Sequence, residues 1–261
     1  MKKLLNNPFN QFKLFHEELI KLVSTTNMPT ERNGINGITT ESQLNKTFPY
    51  HMVLSTCSNN IPTSRVVMLR DFNEKGLKFY TSHQSRKGKD IKENSICSVN
   101  FNWFPIKKQI IIRGNVERLS EEVSDLFFKT RPISAQISVL VSKQSEVIED
   151  DYDFEKELKK YDNHNKDNLK RPNSWGGYNI IPNMFEFWSD ENDKLTYGLG
   201  FIKRVRYTKI KRERDNENDN SINRSARVNK GVIKGLSTSK DSNNSDNNTN
   251  SNEWKIELLH P

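Results

Sequence analysis

Apolar residues are scarce in this chain of 261 residues: they make up 33% of it, well below the roughly 45–50% usual for globular proteins. That excludes one dense core running through the whole chain. The apolar residues cluster at 9–23, 50–128, 175–207 and 254–259, so the shortfall reflects segments that do not fold rather than a thin core everywhere. No window approaches 18 consecutive apolar residues, which excludes a membrane-spanning helix. The start, MKKLLNNPFNQF, is basic but has no apolar run of signal-peptide length, and the cytoplasm is the expected compartment. Cysteine is nearly absent. Cys57 and Cys97 have no CxxC spacing and no histidine cluster nearby, which argues against a zinc site or a disulfide framework. Both read as reduced core residues, and no metal site is expected.

What is present is a basic balance, with a formal charge of +8. Such a charge suits nucleic acid, an anionic membrane or a phosphorylated small molecule. The pattern divides into an N-terminal helix and loop (1–47) and a main domain (48–261). Phe12, Phe15, Leu19 and Leu22 recur at helical spacing within 8–23, and the polar stretch 24–47 with its Asn-Gly pairs reads as loop. From residue 50 the period changes to short runs of Val, Ile, Phe and Tyr: 50–57, 63–69, 77–82, 96–103 and 109–119. Tight connections between them suggest an antiparallel meander closing into a small barrel, interrupted by a helix near 84–93. Ser120 caps a helix whose first turn holds Glu121 and Glu122. Pro132 stops it, and a second helix spans 133–141. Residues 149–171 read as helix giving way to loop. Strands come next at 178–188, 199–207 and 253–259. Residues 208–252 hold nine Lys or Arg, six Asp or Glu and no aromatic residue. That composition cannot offset the entropy of ordering, so the segment reads as a disordered insertion between the last two strands. Lacking aromatics, it offers no platform for base stacking, which argues against nucleic acid as a partner.

Three features of the core could carry chemistry. Arg65-Val66-Val67-Met68-Leu69-Arg70 places an arginine at either end of an apolar strand; five residues apart, the two nominally face opposite sides. Tyr80-Thr81 precedes Ser85-Arg86-Lys87 at a helix start, where free N–H groups, a hydroxyl and two cations make a competent phosphate site. Lys143-Gln144-Ser145 comes after the helix ending at Val141. Each segment alone also suits solvated charges or a plain loop.

These segments form an ordered series with Phe79-Tyr80-Thr81, Arg131-Pro132, Trp175-Gly176-Gly177, Glu186-Phe187-Trp188 and Trp254-Lys255. In that order and spacing the chain resembles the pyridoxine/pyridoxamine 5′-phosphate oxidase family from about residue 50 to its C-terminus, apart from the insertion. The resemblance implies a mainly β fold with peripheral helices, an FMN-binding split β-barrel. It also implies a homodimer with FMN at the subunit interface. Carried over by position, Arg65, Val66, Val67, Met68, Leu69, Arg70, Tyr80, Thr81, Arg86, Lys87, Gln109, Gln144, Ser145 and Trp188 would contact FMN, with Arg86 and Lys87 on its phosphate. Arg70 and Arg131 would hold the phosphate of the substrate. The implied reaction oxidises pyridoxamine or pyridoxine 5′-phosphate to pyridoxal 5′-phosphate, with O2 as acceptor and hydrogen peroxide as product. No catalytic residue is assigned.

On the substrate side the chain departs from the family pattern. Arg70 stands where the family has Lys, Phe127 where it has Tyr and Ala135 where it has Ser. The family's R-L-H-D-R reads Lys194-Leu195-Thr196-Tyr197-Gly198 here. Each lost hydrogen-bonding group removes about 1–3 kcal/mol of binding. Those losses leave two alternatives open: a related flavin oxidase with another substrate, resembling phenazine-biosynthesis enzymes, or a non-catalytic protein that binds FMN or pyridoxal phosphate.

Overall fold

The structure, a computed structural model, describes residues 4–25, 48–148, 152–161, 169–190, 202–210 and 254–259. Lys194–Gly198 and nearly all of 208–252 lie outside the described residues. Among these residues nine strands form one antiparallel sheet: β1 (His51–Ser58), β2 (Ile61–Met68), β3 (Asp71–Asn73), β4 (Gly76–Ser82), β5 (Ile96–Trp103), β6 (Lys108–Arg118), β7 (Trp175–Asp190), β8 (Ile202–Lys209) and β9 (Trp254–Leu259). Among the described residues five α-helices surround it: α1 (Pro8–Thr25), α2 (Arg86–Glu93), α3 (Glu121–Thr130), α4 (Ile133–Val141) and α5 (Phe154–Lys159). The result is mainly β with peripheral helices, a split β-barrel. Among the described residues no helix is long and apolar enough to cross a membrane.

The expected meander needs correction. Strand order is β2-β1-β5-β6-β7-β4-β3, with β8 on β7 and β9 on β8. β4 therefore does not lie beside β5: α2 intervenes, and the chain crosses the sheet to place β5 against β1. The split arises in β7. Its first half pairs with β4, from Ser82↔Trp175 to Leu77↔Ile180. Its second half pairs with β8, from Met184 to Asp190. Between them the β6–β7 register shifts at Arg113/Gly114. A β-bulge of this kind bends a strand and re-aims the residues beyond it. Gly114 permits it, because a Cβ there would meet the Ile181 carbonyl oxygen at 2.2 Å.

Local chemistry explains the elements. The Asn59-Asn60 turn joins β1 to β2 with positive φ at both residues, the conformation that a tight hairpin turn requires. Asn7 caps α1 by accepting from the Phe9 amide at 2.8 Å, and Pro8 occupies the first turn, where its missing N–H costs nothing. α1 buries Phe9, Phe12, His16 and Leu19 on one face. Edge-to-face pairs bind it to the sheet, Phe9 on Phe185 and Phe12 on Phe101, each with ring centroids 5.0 Å apart. Such pairs contribute about 0.5–1.5 kcal/mol beyond their buried area. Leu54, Val99, Phe101, Ile110, Ile112 and Phe185 are fully buried in the same core, and Cys97 joins them, its thiol pushed up to about 12 by burial.

His83 sits where β4 ends, its Nδ1 2.9 Å from the hydroxyl of buried Tyr178 on β7. Burial, and then the charges of Arg118 and Arg171 against an opposing Glu121, lower its pKa from 6.5 to about 4. The unfolded chain therefore binds a proton below pH 6.5 that the folded chain refuses until about pH 4, and stability rises with pH where the unfolded state holds more protons. The contribution is complete above pH 6.5 and is lost as pH falls towards 4. Thermal melts across this window should show Tm falling with acid, with a shallower slope in His83→Gln. Buried His16, also shifted down by burial, keeps part of the slope. An unchanged slope would exclude His83 as a source.

Candidate active site

The motifs of β2, β4, α2, α3 and α4 converge on one cleft of about 500 Å³. Arg65, Val66, Val67, Met68 and Arg70 line one side, Tyr80, Thr81, Ser82 and Lys87 the floor, and Phe127, Arg131, Gln144 and Trp175 the rest. Arg65 and Arg70 thus share a cavity, although strand alternation would send them to opposite faces. The alternation stops at Met68, where β2 ends. Leu69 turns into the core, and the Arg70 amide bonds to the Lys78 carbonyl at 2.8 Å, which brings Arg70 round to the cleft.

The floor is built at the start of α2. Ser85 caps the helix, accepting from the Gly88 amide. Two residues after the cap, the Lys87 ammonium is buried. Its contacts are the hydroxyls of Thr81 and Ser85, both at 3.4 Å, and no carboxylate pairs with it among the described residues. Burial and then Arg65 lower its pKa, with Asp90 opposing. The Thr81 hydroxyl donates to Gln144 Oε1 at 2.9 Å, fixing the amide oxygen and turning the amide NH2 away. Ser145, at φ 73°, completes the turn that delivers Gln144.

The other half of the cleft is aromatic and cationic. Phe127 stacks on Tyr80 with centroids 3.7 Å apart, and Trp175 lies parallel to Tyr80 at 5.7 Å. Gly177 allows this packing: a Cβ there would meet the Tyr80 ring at 2.7 Å. Arg70 lies 5.8 Å above Phe127 and Arg131 4.8 Å above Trp175. Burial, and after it the charge of Arg70, lowers the pKa of Arg131. No acid pairs with either arginine among the described residues.

Ten of the residues singled out in the sequence line this cleft: Arg65, Val66, Val67, Met68, Arg70, Tyr80, Thr81, Lys87, Arg131 and Gln144. Leu69 lies in the core, Arg86 is not among the lining residues and pairs with Asp90, and Ser145 is next to Gln144. Gln109 and Trp188 are elsewhere, paired with each other across β6 and β7. Sequence reasoning missed Val139, Ser138, Ser142 and Ser174, which also line the cleft; nothing in their local pattern marks them. Phe127 and Trp175 were noted for other reasons, but their stacking on Tyr80 is a tertiary fact.

Residues 43–164 match the family model described as pyridoxamine 5′-phosphate oxidase. A pyridoxine/pyridoxamine 5′-phosphate oxidase of Ehrlichia ruminantium is 40% identical over 149 residues, covering 56% of this chain and 77% of its own. The chain belongs to the pyridoxine/pyridoxamine 5′-phosphate oxidase family. It is an oxidoreductase of that type. A family member from Legionella pneumophila (strain Lens) is 35% identical over 73% of this chain and 79% of its own. In fold, the chain is similar to PhzG from Burkholderia lata 383, solved with tetrahydrophenazine-1-carboxylic acid. The TM-score is 0.63 at 19% identity, covering 100% of this chain and 95% of that one. It is also similar to a pyridoxamine 5′-phosphate oxidase-related, FMN-binding protein from Nostoc punctiforme, with a TM-score of 0.53 at 12% identity, covering 81% and 88%.

Proposed function

We propose that this family member is an FMN-dependent oxidase that converts pyridoxamine or pyridoxine 5′-phosphate to pyridoxal 5′-phosphate, with O2 reduced to hydrogen peroxide. The observation that carries the reading is Lys87, a buried ammonium without a carboxylate partner among the described residues, beside Arg65 and a capped helix start. A buried cation in that state is costly, and a phosphate would supply what it lacks. The donor set fits FMN: Arg65, Arg86 and Lys87 for the phosphate, Thr81 and the Gln144 amide for polar edges, and Val66–Met68 as an apolar wall. Bound there, the flavin supplies a two-electron acceptor that O2 can reoxidise.

The chain's residues hold and orient. Arg70 and Arg131 supply two guanidiniums suited to the substrate's phosphate. The Tyr80–Phe127–Trp175 wall offers a flat apolar surface to a pyridine ring and keeps water from it. The site also supports a homodimer. Trp175 lines the cleft, whereas Trp188 lies near the other end of the same strand. At about 3.3 Å per residue that is roughly 40 Å of strand. Gln109 and Trp188 would therefore meet a flavin bound in this cleft only from a second copy.

An absorption spectrum of the purified protein with FMN, repeated anaerobically with pyridoxamine 5′-phosphate, tests the reading. The expected result is a bound flavin that bleaches on addition of the substrate. Protein that takes up no FMN would overturn it. A second reading, a flavin oxidase acting on another substrate, is favoured by Phe127 and Ala135, which put carbon where the family pattern has hydroxyls. A yellow protein that pyridoxamine 5′-phosphate does not bleach, but another donor does, would select it.

A further inference from the structure

Asp90 lies on α2, one turn beyond Arg86, with its side chain 2% exposed. It does not line the cleft, yet it is tied to Arg65, which does, and to Arg86 on its own helix. Its Oδ1 accepts from Arg86 Nε at 3.1 Å. Its Oδ2 accepts from the hydroxyls of Thr56 at 2.7 Å and Thr63 at 2.9 Å. Those hydroxyls in turn accept from Arg65, Thr56 from Nη1 at 2.7 Å and Thr63 from Nη2 at 2.5 Å. A hydroxyl has one proton to give and lone pairs to receive with, so each threonine links guanidinium to carboxylate in one direction. Arg65 Nη2 is also 3.6 Å from Oδ2. Among the described residues, the Arg65 Nε–H and one Nη2 N–H have no hydrogen-bond acceptor.

We propose that Asp90 is a positioning residue for the phosphate grip, holding Arg65 and Arg86 in the arrangement that a phosphomonoester dianion meets. This rests on reading the cleft as the FMN site. Two effects of Asp90 on such a ligand oppose each other. Its negative charge repels the dianion, whereas its bonds fix two long side chains before the ligand arrives, removing an ordering cost that binding would otherwise carry. The repulsion is blunted, because two arginines and two hydroxyls already engage the carboxylate, and those bonds keep its pKa low although burial works against ionisation. Ordering wins on this geometry. The sign of the effect is therefore diagnostic.

Flavin fluorescence titrations of the full chain with FMN and with riboflavin, which lacks the phosphate, test this. Asp90→Ala should weaken FMN binding about tenfold or more, the scale of one hydrogen bond to a charged group, and leave riboflavin binding within about twofold. Asp90→Asn, which keeps an acceptor for the threonines, should recover part of the loss and serves as the test should the alanine variant not fold. In an Arg65→Ala/Arg86→Ala background, removing Asp90 should change FMN affinity little, because its targets are gone. Tighter FMN binding by either variant would overturn the proposal, as would parallel loss of FMN and riboflavin, the mark of a merely structural role. Wild-type protein that binds no FMN would sink the reading of the cleft itself. Wild-type binding with an unchanged FMN-to-riboflavin ratio in the variants would sink the positioning role alone.

Discussion

Lys87→Met should leave the empty protein as stable as before, or more so, and weaken its hold on FMN by about 10- to 100-fold, the value of a charge-assisted bond or two. Both expectations come from one feature. The ammonium is buried with two hydroxyls at 3.4 Å, and burial, then Arg65, lower its pKa, so the surroundings work against the charge. Methionine fills similar volume, adapts to irregular space and removes the charge that the fold strains to hold. A ligand phosphate reverses the balance: it turns an under-partnered cation into an ion pair in a partly dry site, where such pairs are strong. Riboflavin, without the phosphate, should bind the variant and the wild type alike. Thermal melts with and without FMN give both quantities: the variant's melting temperature should match or exceed the wild type's without ligand and gain less on adding FMN. A lower melting temperature without ligand would mean that Lys87 is structural. An equal gain would mean that it does not meet the phosphate.

The same residue shows how far the sequence could be read. Ser85-Arg86-Lys87 after an apolar strand signals a helix start with cations, because capping and the helix dipole are local physics. The segment does not signal that Lys87 is buried while Arg86 stays exposed and paired with Asp90; that depends on which side of α2 packs against β1. The long strands were legible for a like reason, since alternation and β-branched runs are local. β3 was not, because three residues leave no period to detect. The meander failed on a non-local point: β4 and β5 are neighbours in sequence, and the helix between them carries the chain across the sheet. Arg65 and Arg70 misled in the same way, since alternation predicts opposite faces only while the strand continues. The arrangement of Gln109 and Trp188 is clear in the sheet register. The resemblance alone assigns them to the cleft at the far end of β7, and that assignment would require a second copy of the chain.

Arg131→Ala should raise KM for pyridoxamine 5′-phosphate about 10- to 100-fold with a small change in kcat, the pattern of lost binding that is uniform along the reaction. Arg131 caps α3, its amide donating to the Phe128 carbonyl at 3.2 Å. Its Nη2 donates to the Ala135 carbonyl at 3.1 Å, and the guanidinium covers Trp175 at 4.8 Å. Those contacts fix the plane of the fork and leave N–H groups for an anion. Arg131→Lys should not rescue, because an ammonium neither stacks on Trp175 in that plane nor presents a fork. Arg70 and Arg131 repel one another, an effect that adds to burial in lowering the pKa of Arg131. A dianion between them relieves that repulsion, so Arg70→Ala and Arg131→Ala should combine to less than the sum of their separate effects. Unphosphorylated pyridoxamine supplies the control. Its turnover should be nearly blind to Arg131→Ala, and equal losses on both substrates would show that the arginine serves the ring or the fold and not the phosphate.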